Sequence, residues 1–193
     1  MQLGESMISS SSVQFGFRSA TAADADGVVA LVESAYRGDT SRVGWTTEAD
    51  LLGGQRTDRE EVDSLLARAD VSLILASARE PRAQAPDQLV GCVCVRFEAD
   101  ARAIIGMFAV RPELQGAGLG SALLGEAERV ARERGVRSAE MTVLEQRPEL
   151  LAWYGRRGYL PTGETEPFPY DNPRFGLPRR KDLRFSVLEK LLR

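Results

Sequence analysis

An apolar run from Ile104 to Val110 gives way to Arg111-Pro-Glu-Leu-Gln-Gly-Ala-Gly-Leu-Gly-Ser121, which opens into an amphipathic stretch reaching about Arg134. Three glycines within five residues at that boundary predict a strand, a tight turn and a helix in direct succession. Glycine at such a turn takes left-handed backbone angles and lets the main chain approach a ligand closely. The first N–H groups of the helix have no intrahelical acceptor, and the helix dipole adds partial positive charge there. The segment therefore predicts a main-chain cradle for an anion, usually a phosphate, with the following helix packed on a sheet. A glycine-rich helix start that binds nothing is the structural alternative.

Two familiar phosphate loops do not fit. A nucleoside-triphosphate loop needs a lysine and a Ser/Thr after its last glycine, whereas Gly120 is followed by Ser121 and Ala122. A dinucleotide fingerprint, G-x-G-x-x-G after the first strand of a βαβ unit, accepts Gly116 and Gly118. It meets Ser121 at its third position and would lie past the middle of the chain.

The elements around the loop follow from periodicity and punctuation. Phe15 to Ser19 reads as a first strand, and Thr21 with Asp24 has capping-box spacing for a helix whose Val28, Leu31, Val32 and Ala35 form one apolar stripe. Gly38 marks its end. A second helical region is expected near Thr47, broken at Gly53-Gly54 and restarted at Thr57, where Glu60 again stands at capping-box spacing. Strands are expected at Val71 to Ala76, Leu89 to Phe97 and Arg102 to Val110 as an antiparallel meander, with a polar connection from Arg79 to Gln88. The helix after the glycine loop is expected to bury Leu119, Leu123, Ala127 and Val130, with Glu128–Arg132 and Arg129–Glu133 as outer-face pairs. A strand through Ala139, Met141 and Val143, a helix from Pro148 to about Arg157, a short strand at Tyr159-Leu160 and a last strand through Leu183, Phe185 and Val187 complete the order β-α-α-β-β-β-α-β-α-β-β. Gly163 to Lys181 reads as a long, functional loop.

Gln115, Gly118 and Gly120 match the pattern Q/R-x-x-G-x-G/A in full, and with this order of elements the chain resembles the GNAT superfamily of acetyl-CoA-dependent N-acetyltransferases. The resemblance runs from Phe17 to Lys190. It implies an α/β (α+β mixed) fold: a single domain, residues 13–193, with a mostly antiparallel sheet splayed between the fourth and fifth strands of that order. Residues 1–12 are expected to be a disordered tail. The resemblance assigns Gln115, Gly116, Ala117, Gly118, Leu119, Gly120 and Ser121 to the pyrophosphate of the cosubstrate acetyl-CoA, and Phe108, Ala109 and Val110 to its pantetheine arm beside a bulge. A backbone N–H of that strand would polarise the thioester carbonyl.

A second motif, Leu150-Leu-Ala-Trp-Tyr154-Gly-Arg-Arg-Gly158-Tyr159, is similar to the family's A-x-x-x-Y-x-x-x-G-F helix. Transfer of an acetyl group to an amine needs an unprotonated amine, a stabilised oxyanion and a thiolate that can leave. A phenol, with ordinary pKa near 10, held against a thiolate of pKa near 8.5 can hydrogen-bond or protonate it. The resemblance gives Tyr154 that general-acid role; a half-buried tyrosine packed on the sheet is the structural alternative. Many family members carry Asn seven residues before the tyrosine. Arg147 stands there and resembles a subgroup reading R-P-E-L-x-x-W-Y-x-x-R-G-Y. Arg147 suits the cofactor, an acidic group on the acceptor, or a pairing with Glu149.

The acceptor side of such a fold points to Tyr36, Trp45, Glu48 and Arg56, and to Phe168 and Tyr170 of the long loop. Arg174, Arg179, Arg180, Lys181 and Arg184 form a basic cluster suited to an anionic acceptor, a partner subunit or plain solvation. Without histidine the general base is a carboxylate such as Glu98 or Glu33, a tyrosine, or water. The expected acceptor is a small-molecule primary amine, with a peptide or protein amine as the variant and a non-catalytic CoA sensor as the other class. No metal is expected, since Cys92 and Cys94 are the lone cysteine pair and read as core. Net charge −3 argues against a nucleic-acid partner, and no segment has the length of a membrane span, so a cytoplasmic setting is the default. A homodimer is left open.

Overall fold

The computed structural model describes residues 14–79 and 88–193; the expected tail and most of the polar connection between the first two meander strands lie outside the described residues. In chain order the elements are β1 (Gln14–Ser19), α1 (Ala25–Tyr36), β2 (Leu52–Gly53), α2 (Arg59–Leu66), β3 (Val71–Arg79), β4 (Gln88–Phe97), β5 (Arg102–Val110), α3 (Leu119–Glu133), β6 (Ser138–Leu144), α4 (Pro148–Gly155), β7 (Leu160–Pro167), β8 (Leu177–Pro178) and β9 (Arg184–Leu191). Seven strands form one sheet in the order β1-β3-β4-β5-β6-β9-β7, and β2 pairs with β8 in a separate ribbon. Every pairing in the large sheet is antiparallel except β5 with β6. The expected mixed α/β architecture and order of main elements are therefore present.

Strand alternation assigns side chains to two cores. Leu73 and Leu75 of β3, with Cys92 and Cys94 of β4, pack under α1 and α2. Ile74, Ala76, Val93 and Val95 face the other way, against Leu119, Leu123, Leu124 and Ala127 of α3. Both cysteines are buried, and burial pushes their thiols up to about 12 for Cys92 and about 11 for Cys94.

One irregularity in β5 positions everything that follows. Cys92 pairs with Ala109 and Cys94 with Gly106, so Met107 and Phe108 together stand opposite Val93. Two residues against one is a bulge, and it inverts the alternation. Ala103 and Ile105 face α3, whereas Met107 and Ala109 face α1. Met107 takes a left-handed φ of 43°, a costly conformation for a non-glycine residue. The Tyr36 hydroxyl donates to the Phe108 carbonyl at 2.8 Å and pins the bulge from α1. Beyond the bulge the sheet opens, since β5 and β6 pair only from Arg102↔Ser138 to Ile104↔Glu140 and then diverge.

Several expectations are corrected. Thr21 begins a short 3-10 turn, Ala22–Asp24, that runs on into α1, and the Asp24 carboxylate accepts from the Thr21 N–H and hydroxyl. No helix starts near Thr47: Thr40–Val43 forms a 3-10 turn and Leu52–Gly53 a strand. Asp58, not Thr57, caps α2, accepting from the Glu61 N–H at 2.8 Å, because Thr57 donates its amide to Glu33. The expected short strand at Tyr159-Leu160 begins at Leu160 and continues to Pro167, so the long loop is shorter than expected. Glu128 is not on an outer face: it is buried against β9, accepting from Lys190 at 2.7 Å and from the Tyr159 hydroxyl.

Candidate active site

The glycine loop lies at the open end of the splay. Gly116 and Gly118 have φ of 86° and 88°, angles that L side chains rarely adopt. A Cβ at either would meet no atom within 4 Å, so their surroundings are open. Among the described residues no backbone carbonyl accepts from the N–H groups of Gly116, Gly118, Leu119, Gly120 or Ser121, while the α3 ladder begins with Ala122 donating to the Gly118 carbonyl. These donors converge at the N-terminus of a 15-residue helix, where the dipole favours an anion. A Cβ on Gly120 would sit 3.4 Å from the Trp153 ring, an ordinary contact, so the packing of α3 on α4 does not require glycine at this third position. Gln115 folds back, its amide donating to the Val110 carbonyl while its Oε1 is buried without a partner.

A cavity of about 330 Å³ runs from this loop into the splay, bounded by Phe108, Ala109 and Val110 on β5 and by Arg147, Trp153 and Tyr154 around α4. Arg157 stands at its mouth: its guanidinium stacks 3.5 Å from the Trp153 ring centroid and contacts the Ser121 hydroxyl. Burial lowers its pKa from 12.5, but a guanidinium stays charged. Main-chain donors, a helix dipole and a fixed cation thus surround one end of the cavity, which fits a diphosphate.

A second, smaller cavity of about 150 Å³ lies on the far side of the opening, and Tyr36, Phe108, Arg147, Leu150 and Tyr154 line both. Tyr154 is 5% exposed and packs edge-on against Trp153 at 4.9 Å between centroids. Burial raises the pKa of its phenol well above the usual 10, and the nearby Tyr36 adds to the effect. Burial likewise raises Tyr36. Behind these phenols the Glu48 carboxylate takes Arg37 on one oxygen and Arg147 on the other, each at 2.9 Å. Arg147 also donates to the Thr46 hydroxyl at 2.6 Å. The β2–β8 ribbon and the loop before β8 close over this triad, and Arg37 reaches the Phe175 carbonyl at 3.5 Å.

The expected residues fall into groups. Gln115, Gly116, Gly118, Gly120 and Ser121 line the larger cavity with Phe108, Ala109 and Val110. Ala117 and Leu119 do not line it; Leu119 is fully buried in the core and offers only its N–H. Trp45 lines the loop side, not the second cavity. Arg56 and Phe168 line the second. Tyr170 is in neither, because its hydroxyl accepts from the Leu183 N–H at 2.8 Å and its ring packs on Phe168. Arg147 is engaged by Glu48 and Thr46, which leaves it a wall of both cavities. Glu98 pairs with Arg96 away from the site, and Glu33 accepts from the Arg56 and Thr57 amides. Within the basic cluster Arg180 pairs with Asp182 and Arg174 with Glu60. Trp153, Arg156, Arg157 and Arg37 had not been singled out; the Arg156-Arg157 pair one turn after Tyr154 was the available signal. Among the described residues no cluster of His, Cys, Asp and Glu is placed to hold a metal, and no helix is long and apolar enough to cross a membrane.

Comparison with known proteins agrees with this arrangement. The nourseothricin acetyltransferase structure superposes with a TM-score of 0.64 at 21% identity, covering 93% of this chain and 99% of that one. The ribosomal-protein-S18-alanine N-acetyltransferase of Escherichia coli gives a TM-score of 0.65 at 13% identity, covering 93% and 94%. At such identities the likeness concerns the fold. The YxbD protein of Bacillus subtilis (strain 168) is 36% identical over 73 residues, which span 38% of this chain and 44% of that protein. The acetyltransferase (GNAT) family matches residues 39–159, well over half of the 193 residues and both motifs. The chain therefore belongs to the GNAT acetyltransferase family.

Proposed function

We propose that this acyltransferase moves an acetyl group from acetyl-CoA to a primary amine of a small molecule, by direct attack of the amine on the thioester. The observation that carries this reading is the buried Tyr154, shared by the glycine-loop cavity and the smaller cavity beyond it. Acetyl-CoA supplies the activated carbonyl; the rest is done by the chain. The free N–H groups of Gly116, Gly118, Leu119, Gly120 and Ser121, with Arg157, hold the diphosphate. The unpaired edge of β5 past Ile104 receives the pantetheine arm, and its backbone N–H groups polarise the carbonyl. Tyr36 fixes the bulge through the Phe108 carbonyl, so this edge is set before any ligand binds. Tyr154, kept protonated by burial, donates its hydroxyl proton to the leaving sulfur.

Among the described residues no carboxylate is placed as an obvious base. Both Glu48 oxygens accept from arginines, and Glu33 accepts from two amides. Water therefore takes the amine proton. The small-molecule reading rests on the second cavity, which is closed over by Phe168, Phe175 and the ribbon.

Calorimetric titration with acetyl-CoA, joined to thiol release against a panel of amines, tests the proposal. Micromolar binding with amine-dependent release is expected. Binding without release for any amine would leave a CoA sensor, and absence of binding would remove the cradle.

A further inference from the structure

The geometry points to an acceptor that carries a carboxylate beside its amine, an amino-acid-like molecule seated against Arg56 in the smaller cavity. This rests on the transferase reading above and names its substrate class.

The charged side chains lining that cavity are Arg37, Arg56, Arg147 and Glu48, three cations to one anion. Glu48 divides its two oxygens between Arg37 and Arg147. Those two guanidiniums are 7% and 6% exposed as residues, and the Nε of each is buried with no hydrogen-bond partner. The Glu149 carboxylate also lies 3.8 Å from Arg147 Nε, so the two buried guanidiniums share two carboxylates, and the uncompensated charge of the cavity is that of Arg56. Arg56 makes no ion pair among the described residues; its guanidinium lies 5.3 Å from the Tyr36 ring centroid. The Glu33 carboxylate accepts from the Arg56 and Thr57 backbone amides on one oxygen, makes no ion pair with the Arg56 guanidinium and does not line the cavity.

An unpaired guanidinium fork is shaped for a carboxylate. Tyr36 links Arg56 to the reacting edge, because its ring carries the guanidinium while its hydroxyl holds the Phe108 carbonyl. An acceptor whose carboxylate meets Arg56 thus has its amine directed toward Phe108 and Tyr154. The unpaired Arg56 cation disfavours further positive charge beside it, so it selects against polycationic amines and favours the neutral, nucleophilic form of the amine. Met107, Met141, Phe168 and Phe185 supply an apolar surround for the body of the acceptor.

The test uses L-amino acids from alanine to tryptophan, each beside its own carboxamide, with spermidine as a polycationic control. The best acceptor should be a carboxylate, with kcat/KM roughly 10-fold or more above its amide. Arg56→Gln should narrow that ratio to a few-fold, and Arg56→Lys should restore part of it, with KM for acetyl-CoA unchanged in both. The change in ratio cancels the different basicity of the two amines. Amides or spermidine acetylated as well as the carboxylates, a ratio untouched in Arg56→Gln, or turnover of none of these amines by protein that binds acetyl-CoA would each overturn the inference. Failure to bind acetyl-CoA would instead overturn the transferase reading.

Discussion

At the scale of single residues, Tyr154 and Arg147 show how environment sets a role. Burial raises the pKa of Tyr154 and the neighbouring Tyr36 adds to the effect, and together they outweigh the lowering by Arg147 and Arg157. The phenol therefore stays protonated across neutral and mildly alkaline pH, which suits a donor and not a base. Tyr154→Phe is expected to lower kcat by about 10²-fold while leaving acetyl-CoA affinity within a few-fold. Steady-state thiol release beside calorimetry reads both; an unaltered kcat at saturation would take the phenol out of the acid role. Titration of Tyr154 should produce no fall in kcat below pH 10, since the folded phenol loses its proton later than a free one. The Arg147 guanidinium is aimed at Glu48 and Thr46, with the Glu149 carboxylate 3.8 Å from its Nε, so a cation stands at the junction of the two cavities together with the carboxylates that hold it.

At the scale of elements, the site is two glycine-dependent junctions and one staple. Gly118 caps α3 with φ 88°, and its surroundings are open. Gly118→Asp would force a side chain into a left-handed angle and put a carboxylate beside the helix N-terminus, in the place of the diphosphate. Acetyl-CoA affinity should fall beyond roughly 100-fold, an estimate built from a lost charged-group hydrogen bond plus like-charge repulsion. Circular dichroism would show whether the fold persists, and a folded variant with native affinity would refute the loop assignment. The staple joins α3 to β9: Glu128 accepts two bonds from Lys190, with Arg132 and the Tyr159 hydroxyl alongside. Glu128→Ala leaves a half-buried lysine without its anion and should destabilise by about 3 kcal/mol. Urea unfolding measures this, and a loss under 1 kcal/mol would mean that solvent already screens the cluster.

At the scale of the whole molecule, the buried thiols and phenols make stability depend on alkaline pH. Cys92 and Cys94 are raised from about 9 to about 12 and about 11, and Tyr36, Tyr154 and Tyr159 are raised above 10. The unfolded chain releases these protons first, so it binds fewer protons than the native state between about pH 9 and 12. Stability therefore falls as pH rises through that window. The urea midpoint should be lower at pH 10.5 than at pH 8; a constant or rising midpoint would show that these groups are not buried as described.

The sequence by itself determined which residues form the elements and where the phosphate cradle lies. Those features are local: the glycine spacing at 116, 118 and 120 sets backbone angles, and the stripe from Val28 to Ala35 sets a helix face. It was misleading where a local signal met a tertiary competitor. Thr57 has capping chemistry, but Glu33 from α1 takes its amide, so the cap passes to Asp58. Glu128 has the spacing of an outer-face ion pair, but Lys190 from a strand 62 residues away draws it inward. Only the tertiary structure decided the acceptor side. Arg37, Glu48 and Arg147 are far apart along the chain and carry no shared pattern, and no periodicity announces a bulge at Met107. Charge pairing and strand divergence are long-range, so the glycine loop was legible in eleven residues while the second cavity became visible when β5 and β6 parted.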